Sequence, residues 1–183
     1  MASPLYRVHQ FLRGFRTTLA PDEIALVRAH LTGAEQALFT AMEPRDRRHS
    51  VDLMHRLGAG ASAELLAAAL LHDVGKGRLC VWDRVAFVLL GALGRGVRER
   101  LEAQRGGHFS RALWRLEHHA RLGAALLEGI GTHPRVVSLV ARHTDAGAAG
   151  AGGAGRADGE DEGDGEDEAD GELARLIVAD GET

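Results

Sequence analysis

The sequence predicts an all-α fold, a helical bundle, and three observations point to that class. Apolar residues recur at a spacing close to 3.6, the β-branched alternation of strands is absent, and Pro, Gly and capping residues fall at intervals that suit short helices. With 183 residues, 45% of them apolar, the chain suits one domain with a full-sized core.

Taken in order, a first helix is predicted from about Leu5 to Leu19. A second opens at Pro21, where Asp22 and Glu23 complement the helix dipole. Thr32 and Glu35 form a capping box for a third. A fourth begins near Pro44 and stops at Gly58, and a fifth runs from about Ser62 to His72 and ends at Gly75. Val81 to about Gln104 reads as helix with a break around Gly91 to Gly96. Phe109 to Glu128, Pro134 to Thr144 and Glu172 to Asp180 complete the set. The apolar run from Val85 to Gly94 is too short to cross a bilayer, which takes roughly 20 residues, and reads as a buried helix or a homodimer face. The arginines at 95, 98 and 100 leave a peripheral membrane contact open. The N-terminus, MASPLYRVHQFLRGF, lacks the apolar core and cleavage site of a signal peptide, so a cytoplasmic protein is expected. The single cysteine, Cys80, excludes an internal disulfide framework and multi-cysteine zinc, and reads as a small core or surface residue.

The net charge of −4 averages two unlike segments. From Ala146 to Glu172 there are ten Asp or Glu and one Arg, and every other residue is Gly or Ala. The rest of the chain carries 21 basic and 16 acidic residues, a mildly basic body that favours an anionic ligand. Residues 146–171 hold no apolar side chain larger than Ala, and are expected to be a disordered acidic insertion. It would divide a helical domain of residues 43–145 and 172–183, with residues 1–42 packed on that core as N-terminal helices. Nucleic-acid binding is disfavoured, since aromatics are 4% of residues and no basic patch is interleaved with them.

Ten histidines are the compositional excess. His49 shares a ridge with Leu53 and Leu57. His72, with Asp73 beside it, follows Leu65, Ala68 and Ala69. His119 has Leu116 and Gly123 on its face, His143 has Val136, Leu139 and Val140, and Asp180 has Leu173, Leu176 and Ile177. Five helices thus each turn a ligand-type group inward. A lone inward histidine is ordinarily a hydrogen-bonded core residue, but six such groups must satisfy one another or a shared cation, because each unpaired polar group costs roughly 1–3 kcal/mol. Four imidazoles and two carboxylates suit one or two divalent ions of borderline hardness: Mn, Fe, Co or Zn, with Mg less favoured by nitrogen donors. His118 lies about 100° from His119, on a face with Trp114 and Leu122, and is expected at the surface or behind the ligands. His133 is expected to be exposed at a helix start, while His9, His30, His55 and His108 show no convergent pattern.

The stretches RHSVDLMHRL, LLAAALLHDVGKG, HARLGAALL, VARHTD and LARLIVAD, in the order H…HD…H…H…D, resemble the HD-domain metal-dependent phosphohydrolase superfamily from about Asp46 to the end of the chain. The resemblance implies an all-α bundle around a central metal site. In its one-metal version His49, His72, Asp73 and Asp180 hold the ion; in its two-metal version Asp73 bridges, and His119 and His143 hold the second. Both extra histidines are here, so two metals are expected. His143 is followed by Thr144-Asp145-Ala146-Gly147, without the Gly-Tyr-Pro signature of the cyclic-di-GMP phosphodiesterase branch, which disfavours that substrate.

The expected activity is hydrolysis of a nucleotide-like phosphate ester by metal-activated water. Asp73 would orient the nucleophile as well as bind metal, and Lys76, the only lysine against 21 arginines, would meet substrate phosphate. Arg45 and Arg48 are candidate phosphate contacts at the rim. The same ligand order also resembles the HD-type mixed-valent diiron oxygenases. A third reading is a non-catalytic HD module that binds a nucleotide or a partner.

Overall fold

The computed structural model describes residues 17–79, 105–144 and 164–181, together with 83, 86, 87, 89, 90, 100 and 101. Among the described residues the protein is all-helical and has no strand. The helices are α1 (Pro21–His30), α2 (Gly33–Ala41), α3 (Pro44–Leu57), α4 (Ala63–Leu71), a 3₁₀ turn at Val74–Lys76, α5 (His108–Gly129), α6 (Pro134–Arg142) and α7 (Asp164–Gly181).

Helix α4 is the hub. Its sequence, AELLAAALL, has almost no polar face, and Leu65, Ala67, Ala68, Ala69, Leu70 and Leu71 are buried. A helix apolar on nearly all sides has to be wrapped by others. Helices α3 and α6 pack most extensively on it, and α1, α2 and α7 cover the remainder. Leu53, Leu65, Leu70, Leu71, Leu127, Leu173 and Leu176 are fully enclosed, each contributing about 1.5–3 kcal/mol. The 3₁₀ turn leans on α5, which in turn packs on α6.

Local chemistry sets the boundaries. The Glu23 carboxylate accepts the Ala20 N–H at 2.8 Å, and Thr32 and Glu35 close the capping box of α2. Helix α3 starts at Pro44 and stops at Gly58, whose φ of 72° favours glycine. The Ser62 hydroxyl accepts the Leu65 N–H at 3.1 Å to open α4. At α6 the imidazole of His133 serves as the cap, accepting the Arg135 N–H at 3.3 Å.

Two elements differ from expectation. Residues 17–20 are not helical, because Pro21 disfavours the helical conformation immediately before it; the earlier part of the first expected helix lies outside the described residues. Helix α7 begins at Asp164, not Glu172, so the acidic insertion is helical from 164 to 171, and residues 145–163 lie outside the described residues. Once Leu173 and Leu176 dock, each residue added to the helix gains a hydrogen bond, so the helix extends back through the acidic run. Of the helix expected over Val81–Gln104, the described positions are helical, with Phe87 packed against Leu79, Ala112 and Leu116 and Leu89 exposed. The break at 91–96 and Cys80 lie outside the described residues.

Candidate metal centre

Five elements meet at one point. Helix α3 supplies His49, the corner after α4 supplies His72 and Asp73, α5 supplies His119, the C-terminus of α6 supplies His143, and α7 supplies Asp180. His49 Nε2 lies 2.8 Å from Asp180 Oδ1 and 3.2 Å from His72 Nε2, and His72 Nε2 lies 3.6 Å from Asp180 Oδ1. His119 Nε2 lies 3.1 Å from His143 Nε2 and 3.6 Å from Asp73 Oδ1, and the same oxygen is 3.4 Å from His72 Nε2. The six side chains therefore form two adjoining groups that could each hold a metal ion, His49–His72–Asp180 and Asp73–His119–His143. His72, Asp73 and His143 are buried, whereas His49 and Asp180 retain 21% and 32% side-chain exposure, so the first group is the more open to solvent.

The proton positions explain why these groups need a cation. The Nδ1 atoms of His72, His119 and His143 sit 2.9, 2.7 and 2.7 Å from the carbonyl oxygens of Ala69, Leu116 and Val140. A carbonyl only accepts, so each Nδ1 carries a proton, and whenever a ring is neutral its bare Nε2 lone pair faces the centre. At His119 and His143 two such lone pairs face each other at 3.1 Å, an arrangement that is repulsive unless a proton or a metal lies between them. A proton is disfavoured there. Burial, with the nearby charge of His72 and His119, pushes the His143 pKa down to about 3, and burial followed by the Lys76 charge outweighs Asp73 in lowering that of His119. Asp73 Oδ1 is buried between the two groups, 3.4 Å from His72 Nε2 and 3.6 Å from His119 Nε2, with the Lys76 ammonium as its counter-ion at 2.7 Å. Three imidazole lone pairs turned inward and a buried carboxylate oxygen form a donor set that could hold a metal ion.

Burial works against the charged forms of Asp73 and Asp180, yet both carboxyls are held well below the usual range: Asp73 chiefly by His72 and Lys76, Asp180 by hydrogen bonds from His49 and His72. The Lys76 ammonium is 2.7 Å from Asp73. Burial also opposes the charge of His72, but Asp73 and Asp180 outweigh it and raise that pKa.

Not every candidate reaches the centre. The Arg48 guanidinium is spent on Glu23 and Asp52, at 2.7 Å each, so it ties α1 to α3 and is not available as a rim contact for phosphate. Arg45 is exposed in the first turn of α3, one turn before His49. His118 stacks on Trp114 with ring centroids 4.7 Å apart, on the face expected.

Sequence reasoning missed two supports. Gly75 lies so close to α5 that a Cβ there would collide with the His119 carbonyl oxygen and sit 2.5 Å from Gly123 N. Its missing side chain is what lets Asp73 and His119 approach. Helix α7, which carries Asp180, is fastened by the buried Glu172 carboxylate to Arg135 at 2.7 Å and by Arg56 donating to the Ala179 carbonyl at 2.9 Å. No periodicity signals these pairs; only the motif's Gly75 was visible, and it read as a helix stop.

The metal-free protein is expected to lose stability on acidification. His143 and His119 have folded pKa values below the ordinary 6.5, so the unfolded chain takes up protons that the fold excludes; their contribution is complete above about pH 6.5 and is lost as pH falls. His72, raised in the fold, acts in the opposite sense, but below pH 6.5 the unfolded chain takes up the same proton and that gain levels off, while the loss at His143 and His119 steepens. The limit is about 1.4 kcal/mol per pH unit per group. Thermal melts of chelator-stripped protein at pH 7 and 5.5 should show the lower midpoint at 5.5, with a flatter dependence in His143→Gln; an unchanged or higher midpoint at 5.5 contradicts the assignment.

In comparisons with protein-family models, curated proteins and solved structures, nothing matches this chain.

Proposed function

We propose that the protein is a metal-dependent phosphohydrolase of the HD type, acting on a small nucleotide-like phosphate ester with two divalent ions drawn from Mn, Fe, Co and Zn. The observation that carries this reading is the pair of adjoining ligand groups with the buried Asp73 Oδ1 within 3.6 Å of an imidazole of each. In this reading His49, His72 and Asp180 hold one ion, His119 and His143 hold the other, and Asp73 is shared. Ions bound there would make water nucleophilic at neutral pH and neutralise charge on a phosphoryl oxygen.

The chain's own groups do the rest. The backbone carbonyls of Ala69, Leu116 and Val140 fix the tautomer and orientation of three imidazoles. Lys76, 19% exposed and anchored by Asp73, presents a compact ammonium from the centre toward solvent, where it can meet a phosphoryl oxygen. Asp73, kept ionised by His72 and Lys76, orients the attacking water and can accept its proton. The more open side, at His49 and Asp180, is where a substrate enters.

The test is elemental analysis of anaerobically purified protein, followed by phosphatase and phosphodiesterase assays with Mn, Fe, Co, Ni, Zn and Mg. The expected result is close to two metals per chain, falling to one in His119→Ala, with phosphate release. One metal, unaffected by that substitution, rejects the dinuclear reading. Bound iron with oxygen-dependent turnover and no phosphate release assigns the centre to the diiron oxygenase chemistry instead.

A further inference from the structure

Beyond the metal centre, the surface where the corner after Lys76 meets the start of α5 carries a second concentration of charge. A cleft of about 350 Å³ there is lined by Arg78, Arg111 and Arg115, with His108 and Trp114 beside them. Its volume lies within the range of small-molecule sites. Three arginines elsewhere are held by carboxylates, Arg48 by Glu23 and Asp52, Arg135 by Glu172 and Arg142 by Asp170, whereas here three guanidiniums line one cleft together. Among the described residues, the three guanidiniums around this cleft have neither a hydrogen-bond nor an ion-pair partner.

Helix α5 begins with His108, whose ring lies 3.3 Å from the Asp83 carboxylate, and reaches Arg111 and Arg115 one and two turns later. That carboxylate answers the start of the helix, and the three guanidiniums are the charge left facing the cleft, where they repel one another until an anion arrives. The cleft adjoins the metal centre through the backbone, since Arg115 reaches over Gly77, next in sequence to Lys76, so closely that a Cβ on Gly77 would strike its guanidinium.

We infer that this cleft is an anion site for an oligophosphate group, with Arg78, Arg111 and Arg115 gripping successive phosphates by charge-assisted, forked hydrogen bonds. An oligophosphate suits it better than a carboxylate because three separate forks offer more donors than one carboxylate can accept. Building on the hydrolase reading, the site names a substrate class: a phosphate ester whose far phosphates rest on the arginines while the scissile one lies at the ligand groups beyond Lys76.

The test measures calorimetric binding of inorganic tripolyphosphate to the full chain in chelator, so that no metal contributes, at low ionic strength. The expected result is one site per chain, with each single Arg→Ala substitution at 78, 111 and 115 weakening binding about tenfold and Arg→Lys recovering only part of it. All three residues are exposed, and circular dichroism checks that each variant remains folded. His72→Ala should leave this binding unchanged. Absence of binding, binding unaffected by the arginine substitutions, or binding lost equally in His72→Ala overturns the proposal. A chain that binds tripolyphosphate but hydrolyses nothing refutes the phosphohydrolase reading and leaves the anion site standing; one that hydrolyses phosphate esters but does not bind tripolyphosphate does the reverse.

Discussion

Asp73→Asn should strip metal from both ligand groups at once. Asparagine keeps the shape of the side chain but removes the charge that His72 Nε2, His119 Nε2 and the Lys76 ammonium all face, at 3.4, 3.6 and 2.7 Å. Changing an outer partner of a ligand commonly costs 10- to 100-fold in metal affinity, so loss of a shared carboxylate should cost on the order of 10³-fold or more, with hydrolysis falling accordingly. The substitution also leaves Lys76 without its counter-ion, which should lower the stability of the metal-free chain by about 3 kcal/mol, the low end for a buried pair because Lys76 is partly exposed. Elemental analysis and denaturant titration read the two effects separately. Retention of two metals per chain in Asp73→Asn would remove the bridging role.

Gly75→Ala should do comparable damage by steric means alone. Its Cβ would meet the backbone of His119 and Gly123, not the end of a flexible side chain, so either the 3₁₀ turn or α5 has to move. Overpacking of this kind costs about 1–3 kcal/mol, and backbone opposing backbone puts this case at or above the top of the range. The displacement falls on the two elements that carry Asp73 and His119, so metal stoichiometry should drop together with the melting temperature. Gly33→Ala is the matching control: it has open space around the added methyl and lies in the first turn of α2, where alanine is tolerated or mildly stabilising. Equal behaviour of the two variants would show that the close approach has no functional weight.

Much of this was legible before any coordinates, for identifiable reasons. Helix starts at Pro21, Thr32, Pro44 and Ser62 and the stop at Gly58 rest on chemistry within four residues, which a linear reading captures. The six polar groups stood out because each interrupts an apolar ridge, and the cost of burying them separately argued that they meet. Contacts between distant residues left no such trace. Arg48 sits one position before a ligand and reads as a rim cation, yet Glu23, 25 residues earlier, claims it. Arg135 and Glu172 pair across 37 residues, and Gly75 with Gly123 is a contact between two backbones that only the packed form reveals. The early start of α7 was missed because composition alone reads the acidic run as repulsive, whereas a docked helix C-terminal to it supplies a nucleus.

The way Asp180 arrives gives the molecule a modular character. Helix α7 is anchored by its own fasteners, Arg135 to Glu172 and Arg56 to the Ala179 carbonyl, on elements far from it in sequence. The helix that carries Asp180 thus behaves as a cassette clipped to its receptor near both ends of its docked half, and the seating of that carboxylate depends on those two clips.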